Sequence, residues 1–357
     1  MAASLEDPGV KDHKLIYPSG FGQNFQSFLS GAAGPEVFYE RRTEMSYRKI
    51  DVHAHYLTPA YRKSVYENYG EKPDGVATPP WDVASQLKLM EENHIDYALL
   101  GISSPYFYPA KEDEALALTR ENNREAHDMI QGHEDKLAFL AALPALSCDK
   151  CEEVIDEALD LGAKGFSLNT NMDGVYMGDP SLDPLMEELN SRKALVHIHP
   201  TSPSAVPSGA CKGFPIPGFE FFCDTTRAFI NMSLNHTFKK FPNIRFIFSH
   251  AGAFIAFLAQ RINGVCGFME EKDRPDIFGD LSRAYFDLAG FSEKYQLEAL
   301  KDAAPISHLF YGSDFPFTPS KSIKTTGKDL EDSLKLTDEE KEKVFFENAK
   351  EAFGLEF

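Results

Sequence analysis

The sequence predicts an α/β protein of the (β/α)8 barrel type on three observations. Eight short apolar runs alternate with segments whose apolar residues recur three or four apart, the count and order such a barrel requires. Runs such as Phe246-Ile247-Phe248 and Tyr97-Ala98-Leu99-Leu100 are continuously apolar, as parallel strands covered on both faces are. Histidines and an aspartate gather at the C-terminal ends of several runs, the rim on which such a barrel carries its chemistry.

In chain order, residues 1–46 mix Gly, Ser, Pro and charges without a sustained period. Tyr17, Phe21, Phe25, Phe28 and Phe38 are too many aromatics for a plain linker, so this N-terminal extension is expected to pack on the body or on a partner subunit. The domain proper is expected over 47–357. Its strands are expected at 49–53, 97–102, 137–143, 165–168, 195–199, 244–249, 284–288 and 308–312. Helices are expected at 80–93, 112–132, 151–161, 184–192, 222–240, 253–271 and 293–303, with stripes such as Val154, Ala158 and Leu161. The tail, 336–357, predicts one more helix, opened by a Thr337/Glu340 capping box, and the charge run 339–343 reads as its solvated face.

Composition narrows the partners. The chain has 357 residues, 43% of them hydrophobic, enough for a substantial core. Its 55 acidic against 36 basic side chains give a net charge of -19. That balance argues against nucleic acid and anionic membranes, and a small anionic substrate would need a local positive site. Five cysteines, an odd number, without a secretory leader read as reduced thiols of a cytoplasmic protein, and Cys148-x-x-Cys151 reads as ordinary. No apolar run approaches the roughly 18 residues of a membrane span.

The rim residues carry the chemistry. His53 and His55 stand two apart in a strand and therefore share a face. Further along come His197-Ile198-His199-Pro200, Ser249-His250-Ala251-Gly252 and Gly312-Ser313-Asp314-Phe315-Pro316. A catalytic divalent ion takes three or four nitrogen and oxygen ligands and keeps a position open. His53, His55, one histidine of the fifth strand and Asp314 would supply four. His199 is the choice because it lies nearer the rim, just before Pro200; His197 reads as a core or supporting histidine. His250 would then stand beside the metal as acid, base or polariser.

The ordered set Asp51-Val52-His53-Ala54-His55, His199-Pro200, Ser249-His250-Ala251-Gly252 and Gly312-Ser313-Asp314-Phe315-Pro316 resembles the amidohydrolase superfamily. Within it the set is similar to the metal-dependent decarboxylase branch that holds aminocarboxymuconate semialdehyde, γ-resorcylate and 6-methylsalicylate decarboxylases, over about residues 49–317. The resemblance implies a TIM barrel with one divalent metal, zinc or else manganese, on His53, His55, His199 and Asp314, with His250 and Asp314 catalytic. His53 stands where some aromatic-acid decarboxylases of this branch carry glutamate. Asp224-Thr225-Thr226-Arg227 resembles a run of the methylsalicylate subgroup that opens the helix after the fifth strand. Helix capping and site-shaping are both expected of it, with Arg227 near substrate. Arg261 matches an arginine that, in the family, reaches into the neighbouring subunit's site to pair with a substrate carboxylate, which implies a homodimer or higher oligomer. Residues 103–108, Phe107 among them, read as an aromatic wall at the mouth or as loop packing.

The resemblance thus implies non-oxidative decarboxylation of a small hydroxylated aromatic acid, 6-methylsalicylate-like, or of a dienoic acid, with Asp314 or His250 delivering the proton. A metal-dependent hydrolase of a lactone or amide is the rival reading on the same ligands. A non-catalytic ligand-binding barrel is the third, and metal content separates it.

Overall fold

A computed structural model describes residues 47–107, 112–144, 150–206 and 210–357. The extension 1–46, Tyr108 and Cys148 lie outside the described residues.

Strand β1 (Lys49–His55) is buried along its whole length. It pairs in parallel with β2 (Ile95–Gly101), which pairs with β3 (Leu137–Phe139). The 137–143 run breaks at Leu140 and resumes as β4 (Ala141–Ala142), which opens a second parallel set. That set continues through β5 (Phe166–Asn169), passes over a small antiparallel hairpin of β6 (Asn171–Met172) and β7 (Val175–Tyr176), and takes in β8 (Leu195–His199), β9 (Arg245–Phe248), β10 (Tyr285–Asp287) and β11 (Leu309–Phe310). With β3 and β4 counted as one stave, eight parallel staves follow one another.

The first and last staves meet at a seam without forming a continuous ladder. Val52 N–H donates to Tyr311 O at 3.0 Å and His55 N–H to Phe315 O at 2.7 Å, with one isolated parallel bridge between Ala54 and Phe315. The ladder is not continuous there because the amide of Tyr311 is turned to the C-terminal tail, donating to Val344 O at 3.0 Å. The tail folds as α-helix (Asp338–Glu342), one π turn (Lys343–Glu347) and α-helix again (Asn348–Phe353). A π turn shifts the carbonyls out of the regular i→i−4 pattern. The Thr337/Glu340 capping box forms as expected. Lys341, however, is 7% exposed, so the charge run is not wholly a solvated face; its neighbours Lys343 and Glu339 pair at 2.7 Å on the outside.

Between strands lie α1 (Pro59–Tyr69), α2 (Val83–Asn93), α3 (Glu112–Ile130), α4 (Cys151–Asp160), α5 (Asp183–Ser191), α6 (Glu220–Leu234), α7 (Thr237–Lys240), α8 (Ile255–Cys266), α9 (Ile277–Arg283), α10 (Gln296–Lys301) and α11 (Ser320–Asp332). The helix expected over 222–240 is split, because His236 adopts a left-handed φ of 56° between α6 and α7. Helices α1, α9 and α11 and the β6–β7 hairpin were not expected from the sequence. Ile50, Val52, Leu99 and Phe310 join Phe346 and Phe353 in one apolar cluster, which ties the seam to the tail. No helix among the described residues is long and apolar enough to cross a membrane.

Candidate metal centre

Alternation along β1 leaves Ile50 and Val52 to the apolar cluster and turns His53 and His55 the other way. There they meet His199 from the end of β8 and Asp314 from the turn after β11. One ligand atom from each of these four lies within 4.8 Å of the others.

Hydrogen bonds fix which ring nitrogens are free. His55 Nδ1 lies 3.2 Å from Gly101 O and His199 Nδ1 lies 2.7 Å from Pro200 O. A carbonyl only accepts, so both Nδ1 atoms carry the proton. His53 Nδ1 donates to Asp287 Oδ2 at 3.0 Å. In its neutral form each of the three rings therefore presents an unprotonated Nε2. Two of these, on His53 and His55, lie 3.1 Å apart with no proton to share between them, and Asp314 Oδ1 lies 3.1 Å from the second. Three lone pairs and a carboxylate oxygen facing one another repel unless a cation joins them. The donor set therefore fits a divalent metal ion.

Electrostatics points the same way. Burial lowers the His53 pKa to about 4 against the pull of Asp287, and burial with His55 and His53 nearby holds His199 well below the ordinary imidazole value. Burial pushes Asp314 up, but His250 and the other imidazoles around it outweigh that and hold the carboxyl well below the usual range.

His197 faces the same interior, yet its Nε2 is spent on Asp287 Oδ2 at 3.0 Å, with Ser249 Oγ at 3.3 Å. That contact separates it from His199 as a ligand and makes it a supporting residue. Asp287, at the end of β10, is the residue that sequence reasoning missed. Oδ2 accepts from His53 and His197, while Oδ1 accepts from the backbone N–H of His250 at 3.0 Å and of Ala289 at 3.1 Å. Burial raises its pKa, but the two imidazoles outweigh that and keep it ionised. The available signal was an acid at the C-terminal end of an expected strand.

His250 stands in a turn of unusual backbone: His250, Ala251 and Ala253 all have left-handed φ, at 55°, 54° and 57°. Gln296 Nε2 holds that turn by donating to His250 O at 2.9 Å and Ala253 O at 3.2 Å. His250 Nε2 lies 3.6 Å from Asp314 Oδ2, its side chain is 14% exposed, and Phe222 stacks over its ring. Below the donors, Asp51 Oδ1 accepts from His53 N and Ser313 N, lacing β1 to the Asp314 turn.

The remaining expected residues lie apart from this cluster or play other parts. Helix α6 starts at Glu220, so Asp224 to Arg227 form an inner turn of it and do not cap its N-terminus. Asp224 is fully buried and accepts from Thr170 Oγ1, Asn171 Nδ2 and Tyr176 OH, which anchors the β6–β7 hairpin. Arg227 is about half exposed, 3.9 Å from Asp224. Phe107 is 2% exposed and packs against Tyr61 and Tyr106, the loop-packing alternative. Arg261 is exposed on α8.

Known proteins share this architecture. Among curated proteins, a decarboxylase of Aspergillus niger, yanB, is 32% identical over 291 residues, covering 77% of this chain and 79% of its own. The 6-methylsalicylic acid decarboxylase acuB of Aspergillus aculeatus is 30% identical over 290 residues, 77% and 86% of the two chains. A crystal structure described as an amidohydrolase II superposes with a TM-score of 0.82 at 35% identity, covering 86% of this chain and 100% of that one. The family model described as Amidohydrolase matches residues 50–355. With the fold, the rim of histidines and this match in place, the chain belongs to the amidohydrolase family.

Proposed function

We propose that the protein is a metal-dependent, non-oxidative decarboxylase, a carbon–carbon lyase, acting on a small hydroxylated aromatic carboxylic acid of the 6-methylsalicylate kind. The observation that carries this reading is the set of three Nε2 lone pairs and one carboxylate oxygen, each nitrogen fixed by a hydrogen bond on the far side of its ring. Relatives named as decarboxylases support the choice of reaction.

His53, His55, His199 and Asp314 would hold the ion; three imidazoles and a carboxylate suit zinc, with manganese the alternative. When bound, a divalent ion there supplies fixed positive charge for the acid's carboxylate and its neighbouring oxygen. Loss of CO2 leaves the bonding electron pair on a ring carbon, which must then take a proton. His250 is placed to give it, being partly exposed and thus able to recover a proton from solvent. Asp314, held ionised, is the weaker proton donor of the two and acts as ligand and as partner to His250. Arg227, half exposed on α6, would be a further positive group for the acid.

Arg261 would serve the site of a second copy by pairing with the substrate carboxylate. Its helix also exposes Phe257, Leu258 and Val265, an apolar surface that supports homodimer formation. Cys211, Cys223 and Cys266 are unbridged, which fits the reducing cytoplasm.

The test is CO2 release from 6-methylsalicylate, γ-resorcylate and salicylate by zinc- or manganese-loaded protein, with and without chelator, beside lactone controls. Chelator-sensitive CO2 release is expected. Lactone turnover with no CO2 would overturn the reading in favour of a hydrolase.

A further inference from the structure

One polar side chain at the rim has no role in the centre described above. Asn169, the last residue of β5, is 0% exposed, and neither Oδ1 nor Nδ2 of its carboxamide has a hydrogen-bond partner. In the parallel register it sits opposite His199, just as Ser167 sits opposite His197. Residues paired across adjacent strands point to the same side of the sheet, so the carboxamide faces the barrel interior in the layer of His199.

An unpaired buried amide costs free energy that a leucine of similar shape would not. The neighbouring polar side chains are all engaged. Thr170 and Asn171 bond to Asp224, Ser167 donates to Ile102 O, and Ser104 and Thr201 share a hydrogen bond. Asn169 alone offers one donor and one acceptor, side by side, toward the space beside the ligands. An acid with a hydroxyl ortho to its carboxylate presents the complementary pair.

We propose that Asn169 is the substrate-positioning residue that selects for the ortho hydroxyl. Oδ1 accepts from the ring hydroxyl and Nδ2 donates to the adjacent carboxylate oxygen, fixing the ring carbon that loses CO2. The inference rests on the reading of the site as one for a hydroxylated aromatic acid.

The experiment measures binding of salicylate and of benzoate, by calorimetry, to the zinc-loaded full chain and to its Asn169→Leu and Asn169→Ala variants. Zinc content and melting temperature are followed alongside. Wild type is expected to prefer salicylate by about tenfold, and both variants to lose that preference, as when a buried two-point partner is removed. Asn169→Leu should keep its zinc and melt at the same or a higher temperature, which a structural asparagine would not allow. A preference for salicylate that survives in both variants, no preference in wild type, or loss of zinc from the variants would each overturn the proposal. Because binding is read without turnover, wild type that discriminates but releases no CO2 would overturn the decarboxylase reading and leave the role of Asn169 supported.

Discussion

Replacing Asp287 by asparagine changes one oxygen to an NH2 and removes one charge from the most heavily used carboxylate in the barrel. The wild-type group accepts four hydrogen bonds: two from imidazoles at 3.0 Å each, and two from backbone amides at 3.0 and 3.1 Å. An asparagine cannot reproduce them in either orientation. With its NH2 toward His250 and Ala289 it meets two backbone N–H groups that cannot change state. With its NH2 toward His53 and His197 it forces each ring to present a lone pair there. His53 then carries its proton on Nε2, the atom that faces His55 and Asp314. The second orientation is the cheaper, and it takes one of the four donors away from the ion. Loss of such supporting hydrogen bonds typically lowers metal affinity by about 10- to 100-fold. Breaking a buried charge network costs roughly 3–5 kcal/mol of folding free energy. Zinc affinity would be read by competition with a chromophoric chelator, and stability by urea unfolding of the metal-free chain. A folded Asp287→Asn protein whose zinc affinity stays within about twofold of wild type would refute the tautomer argument.

Three further outcomes are expected. Asp314→Ala should lose zinc and decarboxylation together while keeping its circular-dichroism spectrum; full activity would remove Asp314 from the ligand set. Arg261→Ala should raise KM for the acid by about 10- to 100-fold, the value of a charge-assisted pair, with metal content unchanged, and an unaltered KM would return Arg261 to the solvated surface. Asp280, buried at 4% exposure on α9, has its pKa raised by burial and by Asp276 from 3.8 to about 6. Between those values the folded state holds a proton that the unfolded chain releases, so this contribution is full below about pH 4 and is lost as pH rises through about 6. Asp280→Asn should therefore be the more stable protein at pH 7.5, by about 1–2 kcal/mol after allowance for solvent screening, with the gap closing toward pH 4. Equal urea midpoints at pH 7.5 would contradict this.

How much of the molecule is legible in the chain depends on whether a feature is periodic or relational. The strands are legible because parallel staves are apolar on both faces, and the rim residues because His53 and His55 interrupt such a run two apart. The preference for His199 over His197 could be argued from its nearness to Pro200; its physical reason, that Asp287 occupies His197, depends on a strand some 90 residues away. Asp287 itself carries no motif. Helix α1 was missed because its amphipathic signal is weak, although Thr58, Pro59 and Gly70 bracket it with capping residues. An Asp-Thr-Thr run suggests a cap at Asp224, but the helix begins four residues earlier and buries the acid against the hairpin.

The seam between β1 and the Asp314 turn also bears on when the protein can become reactive. His55 Nε2 and Asp314 Oδ1 meet at 3.1 Å although 259 positions separate them, so two donors come from the opening stave of the barrel and another from just past its closing one. A ribosome-bound chain that has not yet emerged through Asp314 has at most three of the four donors, and the hydrogen bonds by which the amides of Ser313 and Asp314 lace the closing turn to Asp51 and His53 are likewise unmade. Joining ends so far apart is an entropic cost met only once the intervening staves have packed. Chains that end before Asp314 thus lack the complete donor set, and synthesis through that turn is a condition for assembling the site.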